Sequence, residues 1–333
     1  MDIREKERIE RLKAVFENNF RLTKLYATYL ERCPELITKE MITALTEDGE
    51  MSAKDAIVAI LCEAFGIDGS EGGEPLRFIR NYIIPSVRIL DAQKYYENPY
   101  YKNVKIEDKK LDRWELKQEC YPAYRAFIAA DMVEDGYLEY APLGFFSEDF
   151  RFPAVLEDGN EWMTLTPVDL DTCDEAIEKA RGKVVTFGLG LGYFAYMAAR
   201  KEEVDSVTVV ERDDKVIKLF ESLILPQFPM KEKIRIVRSD ALEYFKTEMP
   251  KERFDYAFID IWRDASDGAP VLREMKPLEH LCEGTEFDYW IEGFLRSRLR
   301  ALRFAELCDK IDDGAEDAPR SFEEFTEELD KLY

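Results

Sequence analysis

Four groups of residues between Lys183 and Asp264 have the types and spacing for small-molecule chemistry. Gly188-Leu189-Gly190-Leu191-Gly192 follows the β-rich run Val184–Phe187 and leads into a helical segment, YFAYMAARK. Glycine is needed where a backbone bends sharply or where a ligand touches the main chain. A helix beginning there offers free N–H groups and a positive dipole end, which favour a carboxylate or phosphate. Glu211 ends the run VTVVE and is followed by Arg212. An acid about 20 residues beyond such glycines can accept both hydroxyls of a ribose. Asp240-Ala241 closes KIRIVRSDA, where Asp240 can cap the next helix or accept a hydrogen bond from an adenine amino group. Asp260 ends FDYAFID, two residues before Trp262. That carboxylate can orient an amine or take up its proton, or it can be satisfied by backbone donors. Trp262 suits either packing or the wall of a substrate pocket.

Spacing narrows the ligand. A dinucleotide fingerprint has its third glycine three residues after the second, and Tyr193 holds that position. No Gly-Lys-Ser/Thr follows, so a phosphate-binding P-loop is excluded. A tight strand–helix turn with no ligand is the remaining alternative for the glycines alone.

These residues need a scaffold that brings strand ends together. Short apolar runs ending in a glycine or carboxylate alternate with segments of helical periodicity, such as Val216–Leu223 and Ala241–Phe245. That alternation predicts βαβ units and an α/β fold with a doubly wound, mostly parallel sheet. Ligands bind beyond the carboxyl ends of such strands. Asp158-Gly159 between two apolar runs predicts a β-hairpin ahead of the sheet, and Val168–Ala180 reads as a helix leading into it. No fifth strand is evident after Asp264, so the hairpin is a candidate to complete the sheet.

The rest of the chain reads as helical. Ile9, Leu12, Phe16 and Phe20 recur at helical spacing, Ser52 precedes a capped helix ending at Gly66, and Leu111–Asp131 shows helical spacing broken at Pro122. The expected division is an all-helical N-terminal domain over 1–145, a sheet domain over 146–283, and a C-terminal helical extension over 284–333. In the extension, Phe287, Trp290, Ile291, Phe294 and Leu302 form an apolar face, and Arg296, Arg298, Arg300 and Arg303 a solvated one. The acidic tail can pair with those arginines. Tyr95–Tyr101, YYENPYY, suits packing or a substrate-facing lid.

The 333 residues carry a net charge of −23, which argues against nucleic acid or an anionic membrane surface as partner. Six scattered cysteines without a CxxC pair, and a single histidine, His280, speak against a metal site or a histidine-based triad. The charged start has no apolar core, and the longest uncharged stretch, Val184–Ala199, is shorter than a spanning helix needs. The expectation is a cytoplasmic protein acting on a small molecule, and a homodimer stays open.

The four motifs, in order, resemble the class I S-adenosylmethionine-dependent methyltransferase family over about residues 160–265. Gly188–Gly192 matches the glycine motif, Glu211 the ribose acid, Ser239-Asp240-Ala241 the adenine-side motif, and Phe254–Asp260 the fourth-strand motif. The resemblance implies a Rossmann-like fold, S-adenosylmethionine as cofactor and SN2 methyl transfer to a small acceptor. It places the cofactor on Gly188, Leu189, Gly190, Gly192, Glu211, Arg212, Asp240 and Ala241. Asp260 and Trp262 would face the acceptor, Asp260 as the catalytic group and Trp262 as a substrate contact. The helical first half would cover the site and select the acceptor. Thr186 departs from the acid many members carry. That departure and the leading hairpin look like spermidine synthase, which transfers an aminopropyl group. Its Asp-x-x-Asp-Pro is here Asp260-Ile-Trp-Arg-Asp264, with no proline and the second acid one place late. A third reading is a binding module without turnover.

Overall fold

A computed structural model describes residues 3–111 and 113–333; Met1, Asp2 and Asp112, which fall within the charged start and the Leu111–Asp131 segment, lie outside the described residues. The chain divides into two compact units. One comprises 1–91, 121–150 and 293–333; the other comprises 92–120 and 151–292. The boundaries expected at 145 and 283 are therefore replaced by a division in which the chain passes between the units four times.

The first unit is mainly helical, but not wholly so. Helix Ile3–Arg32 buries Ile9, Leu12 and Phe16 against Phe304, Leu307, Phe325 and Leu329 of the C-terminal helices. Phe20, expected on that face, is 71% exposed, and the stripe continues instead through Leu22, Tyr26 and Tyr29. Ser52 caps helix Ala53–Ala64 by accepting from Asp55 N, as its position suggested. Beyond Ser86 the helical expectation fails. Val87–Leu90, Phe127–Ile128 and Leu143–Phe146 form a three-stranded sheet, and Val133–Asp135 pairs with Leu138–Tyr140. The C-terminal helix begins only at Glu292, and its Leu302 is exposed. Arg300 is not solvated but buried, paired with Glu139 and Glu134. Arg303 does meet the acidic tail, donating to Glu328.

The second unit holds the five-stranded parallel sheet: β1 Gly182–Phe187, β2 Val204–Glu211, β3 Ile234–Arg238, β4 Tyr256–Ile259 and β5 Glu286–Tyr289. Their order is β3-β2-β1-β4-β5. This is the doubly wound, Rossmann-like arrangement, with a crevice where the order reverses between β1 and β4. The carboxyl-terminal halves of the inner strands are buried, as cover on both faces requires, and β4 is apolar and buried throughout. Connecting helices are α1 Tyr193–Ala199, α2 Asp214–Leu219, α3 Ala241–Thr247 and α4 Ala265–Met275.

Strand β5 corrects the expected helix over 287–307. EFDYW alternates rather than following a helical period, and Phe287 pairs with Ala257. The hairpin Phe150–Glu157/Asn160–Thr164 does form, with Asp158 and Gly159 both at positive φ (51° and 80°), as the turn demands. It joins a separate four-stranded sheet with Lys109–Leu111 and Trp114–Tyr121, and does not complete the parallel one. Leu111–Asp131 is thus mostly strand. The helix expected over 168–180 is two short pieces, Pro167–Asp171 and Asp174–Lys179. Among the described residues no helix is long and apolar enough to cross a membrane.

Candidate functional site

The carboxyl ends of β1, β2, β3 and β4 open onto one cleft of about 690 Å³. The glycine corner, Glu211, Arg212, Asp240, Ala241, Asp260 and Trp262 all line it. A volume in this range suits a small ligand.

The three glycines serve different ends. Gly188 has φ +92°, and a Cβ there would lie 1.8 Å from the carbonyl oxygen of Asp260. Glycine is required because the ends of β1 and β4 touch. Gly192, at φ +75°, lies against the Phe220 ring. Gly190 differs: a Cβ there would meet only Met163 Sδ, at 3.9 Å. Its exposed backbone faces open space. Gly188 N donates to Val210 O, Leu189 N to Glu211 Oε2, and Gly192 N to Leu189 O. The amides of Gly190 and Leu191 donate to nothing among the described residues, so two amides of the corner are free for a ligand.

Glu211 ties two segments together. Its Oε2 accepts from Leu189 N at 3.2 Å and its Oε1 from Asp213 N at 2.8 Å. Each oxygen keeps a lone pair free. Ser239 N donates to Glu211 O, which sets the tips of β2 and β3 side by side. Asp240 is the N-cap of α3: Oδ1 accepts from Leu242 N and Glu243 N, both at 3.0 Å. Its second oxygen has no partner among the described residues.

Asp260 accepts no side-chain hydrogen bond from the described residues, which leaves unmet the alternative that backbone donors satisfy it. Burial, then the charge of Asp169, raises its carboxyl to about 8. Asp169 lines the same cleft and is itself raised to about 6 by burial, despite hydrogen bonds from Thr166 N and Oγ1. Two carboxyl groups in a shared low-dielectric wall disfavour joint ionisation. Cys173 lies beside them with its thiol pushed well up by burial. Sequence reasoning missed Asp169. It lies in a segment read as a plain helix, and only the hairpin's path brings it to the tip of β4. The Thr166–Asp169 capping box was the sequence signal available there, and it points to a helix start, not to a ligand.

Trp262 is buried, stacks on Tyr289 at 6.4 Å between centroids, and donates its indole N–H to Trp290 O. Trp290 donates to Thr172 Oγ1. Both rings line the cleft with their polar atoms satisfied, and offer it apolar surface. The YYENPYY segment packs behind the corner. Tyr100 OH donates to Leu191 O, Asn98 Nδ2 to Tyr193 OH, and Asn103 Nδ2 to Tyr196 OH. His280 lies outside the cleft, its Nδ1 at 2.6 Å from Pro277 O. No cluster of potential metal ligands occurs among the described residues.

No family model matches the chain, and no curated protein matches it. Among solved structures, spermidine synthase from Thermotoga maritima is 17% identical with TM-score 0.32, over 46% of this chain and 59% of that one. A candidate S-adenosylmethionine-dependent methyltransferase from Streptococcus mutans is 20% identical with TM-score 0.29, over 38% of this chain and 36% of that one. A candidate methyltransferase solved with S-adenosylhomocysteine gives the same figures: 20%, 0.29, 38% and 36%. These neighbours are methyltransferases and a spermidine synthase. The matches span between about a third and three-fifths of those proteins' lengths. The fold itself is read from strand order and register.

Proposed function

We propose that this protein is an S-adenosylmethionine-dependent methyltransferase acting on a small amine. The observation that carries the reading is the convergence of the glycine corner and three strand-end acids on one cleft at the switch point of the sheet. The residues fit an adenosyl compound. Gly190 leaves an open cradle with two unpartnered amides for an amino-acid carboxylate. Glu211 retains two lone pairs for ribose hydroxyls, and Asp240 retains one oxygen for an amino group.

When bound, the cofactor supplies an electrophilic methyl on a sulfonium centre; the protein's part is position and desolvation. Trp262 and Trp290 keep water from the acceptor end. The cleft is lined by Glu161, Asp169, Glu211, Asp213, Asp240, Asp260 and Glu274 against Arg212 and Arg263. That balance favours cationic ligands and rejects anionic acceptors. An ammonium arriving between Asp169 and Asp260 favours their ionised forms. One of the two then takes the proton, leaving the nitrogen lone pair free to attack.

Titration calorimetry with S-adenosylhomocysteine tests the cofactor site. Glu211→Ala is expected to lose measurable affinity, while the conservative Glu211→Gln, which keeps the corner's acceptor, retains a fraction of it. Wild-type affinity in Glu211→Ala would overturn the assignment.

The Asp169–Asp260 pair also favours a second reading, aminopropyl transfer to a diamine. Against it, Asp264 is used as the N-cap of α4, accepting from Ser266 N at 2.6 Å. Tighter binding of decarboxylated S-adenosylmethionine than of S-adenosylmethionine would favour that reading.

A further inference from the structure

The second unit contains another hollow, of about 400 Å³, that the proposed activity does not use. Its walls are apolar: the rings of Tyr96 and Tyr101, edge to face at 6.3 Å, with Val104, Ile106 and Pro153. Its rim carries two cations, Lys105 and Arg151. Arg151 has no side-chain partner among the described residues. Among the described residues Lys105 Nζ donates only to the Tyr101 carbonyl, at 3.2 Å.

The hollow is walled off from the cleft. Tyr101 OH donates to Leu165 O and Tyr100 OH to Leu191 O, and both accepting residues line the cleft on the other side. The two tyrosines form a partition held at both hydroxyls. The backbone of both cations is held as well: Gln227 accepts from Lys105 N and donates to Lys105 O, and Tyr96 OH accepts from Arg151 N.

We propose that this hollow is a second ligand site, for a small monocarboxylate with a flat apolar body. One tyrosine ring would stack on that body while the other met its edge, and Arg151 and Lys105 would hold the carboxylate. Glu107 on the same rim leaves a balance of one positive charge, enough to match a monocarboxylate.

The site is probed with phenylacetate and its neutral isostere phenylacetamide, by calorimetry on the full chain. Phenylacetate is expected to bind once per chain, with the amide at least about tenfold weaker (about 1.4 kcal/mol). Lys105→Ala with Arg151→Ala is expected to weaken phenylacetate by the same factor. Both side chains are exposed, so an unchanged urea midpoint checks that the fold is intact. Asp260→Asn, which alters the cleft alone, is expected to bind phenylacetate normally. No saturable binding, equal binding of the amide, or full binding by the double variant would overturn the site. Loss in Asp260→Asn would place the ligand in the cleft and also overturn it. None of these readings depends on the methyltransferase assignment.

Discussion

Replacing Asp260 with asparagine isolates the cost of holding a carboxyl group in the cleft wall. Burial and the neighbouring Asp169 raise that group from 3.8 to about 8. An acid raised in this way binds its proton more tightly in the folded chain than in the unfolded one. Its contribution to stability is complete below about pH 4 and is lost as the pH climbs towards 8. At about 1.4 kcal/mol per pH unit, the interval sets a ceiling of about 6 kcal/mol. The group borders an open cleft, where solvent screens it, so about 2–3 kcal/mol is a better expectation. Asparagine keeps the shape without the charge. The variant should match the native protein near pH 4 and exceed its stability by about 2–3 kcal/mol near pH 9, the gap opening between. All four tryptophans lie in the unit comprising 92–120 and 151–292, so their fluorescence during urea denaturation reports on the unit that holds Asp260. A difference that stays flat from pH 4 to 9, or an asparagine variant less stable at the alkaline end, would refute the reasoning.

Other perturbations separate the roles of neighbouring groups. Gly188→Ala drives a Cβ to 1.8 Å from a backbone oxygen and should cost more than about 3 kcal/mol or prevent folding. Gly190→Ala meets nothing closer than 3.9 Å, so only its positive φ is penalised, by about 1–2 kcal/mol. Equal urea midpoints for the two would contradict the division of labour in the corner. In the first unit, Glu139→Ala strips the buried Arg300 of its nearest carboxylate. A loss of about 3–5 kcal/mol is expected by circular dichroism, and much less when Arg300→Met accompanies it. An additive double variant would show that the pair is not coupled.

Which residues gather at the cleft was legible because their placement is written locally. A glycine has no substitute at a corner with positive φ, and a strand end marked by Glu211, Asp240 or Asp260 is visible as a break in an apolar run. Alternation of such runs with helical segments is enough to imply parallel order, since βαβ units have few ways to pack. What the sequence left open depended on contacts between distant segments. Glu211 by its position suits a ribose, yet it also clamps Leu189 and Asp213. Asp240 by its position suits a cap or a ligand, and the cap is made while one oxygen stays free among the described residues. Strand β5 was hidden because EFDYW is short and runs directly into a helix, so its apolar residues fit a helical stripe equally well. Its edge position becomes evident only beside β4.

The sequence by itself determined a mostly parallel sheet, the bend at Gly188–Gly192 and the acids at the strand tips. Tertiary structure alone decided that Asp169 joins Asp260, that two of the three glycines answer to packing, and that the chain divides into interleaved units. The physical reason is range. Backbone conformation and periodicity act over a few residues and are encoded where they act. Burial, the mutual repulsion of two carboxyl groups and the closing of a wall by Tyr100 and Tyr101 arise only when segments far apart in the chain come into contact.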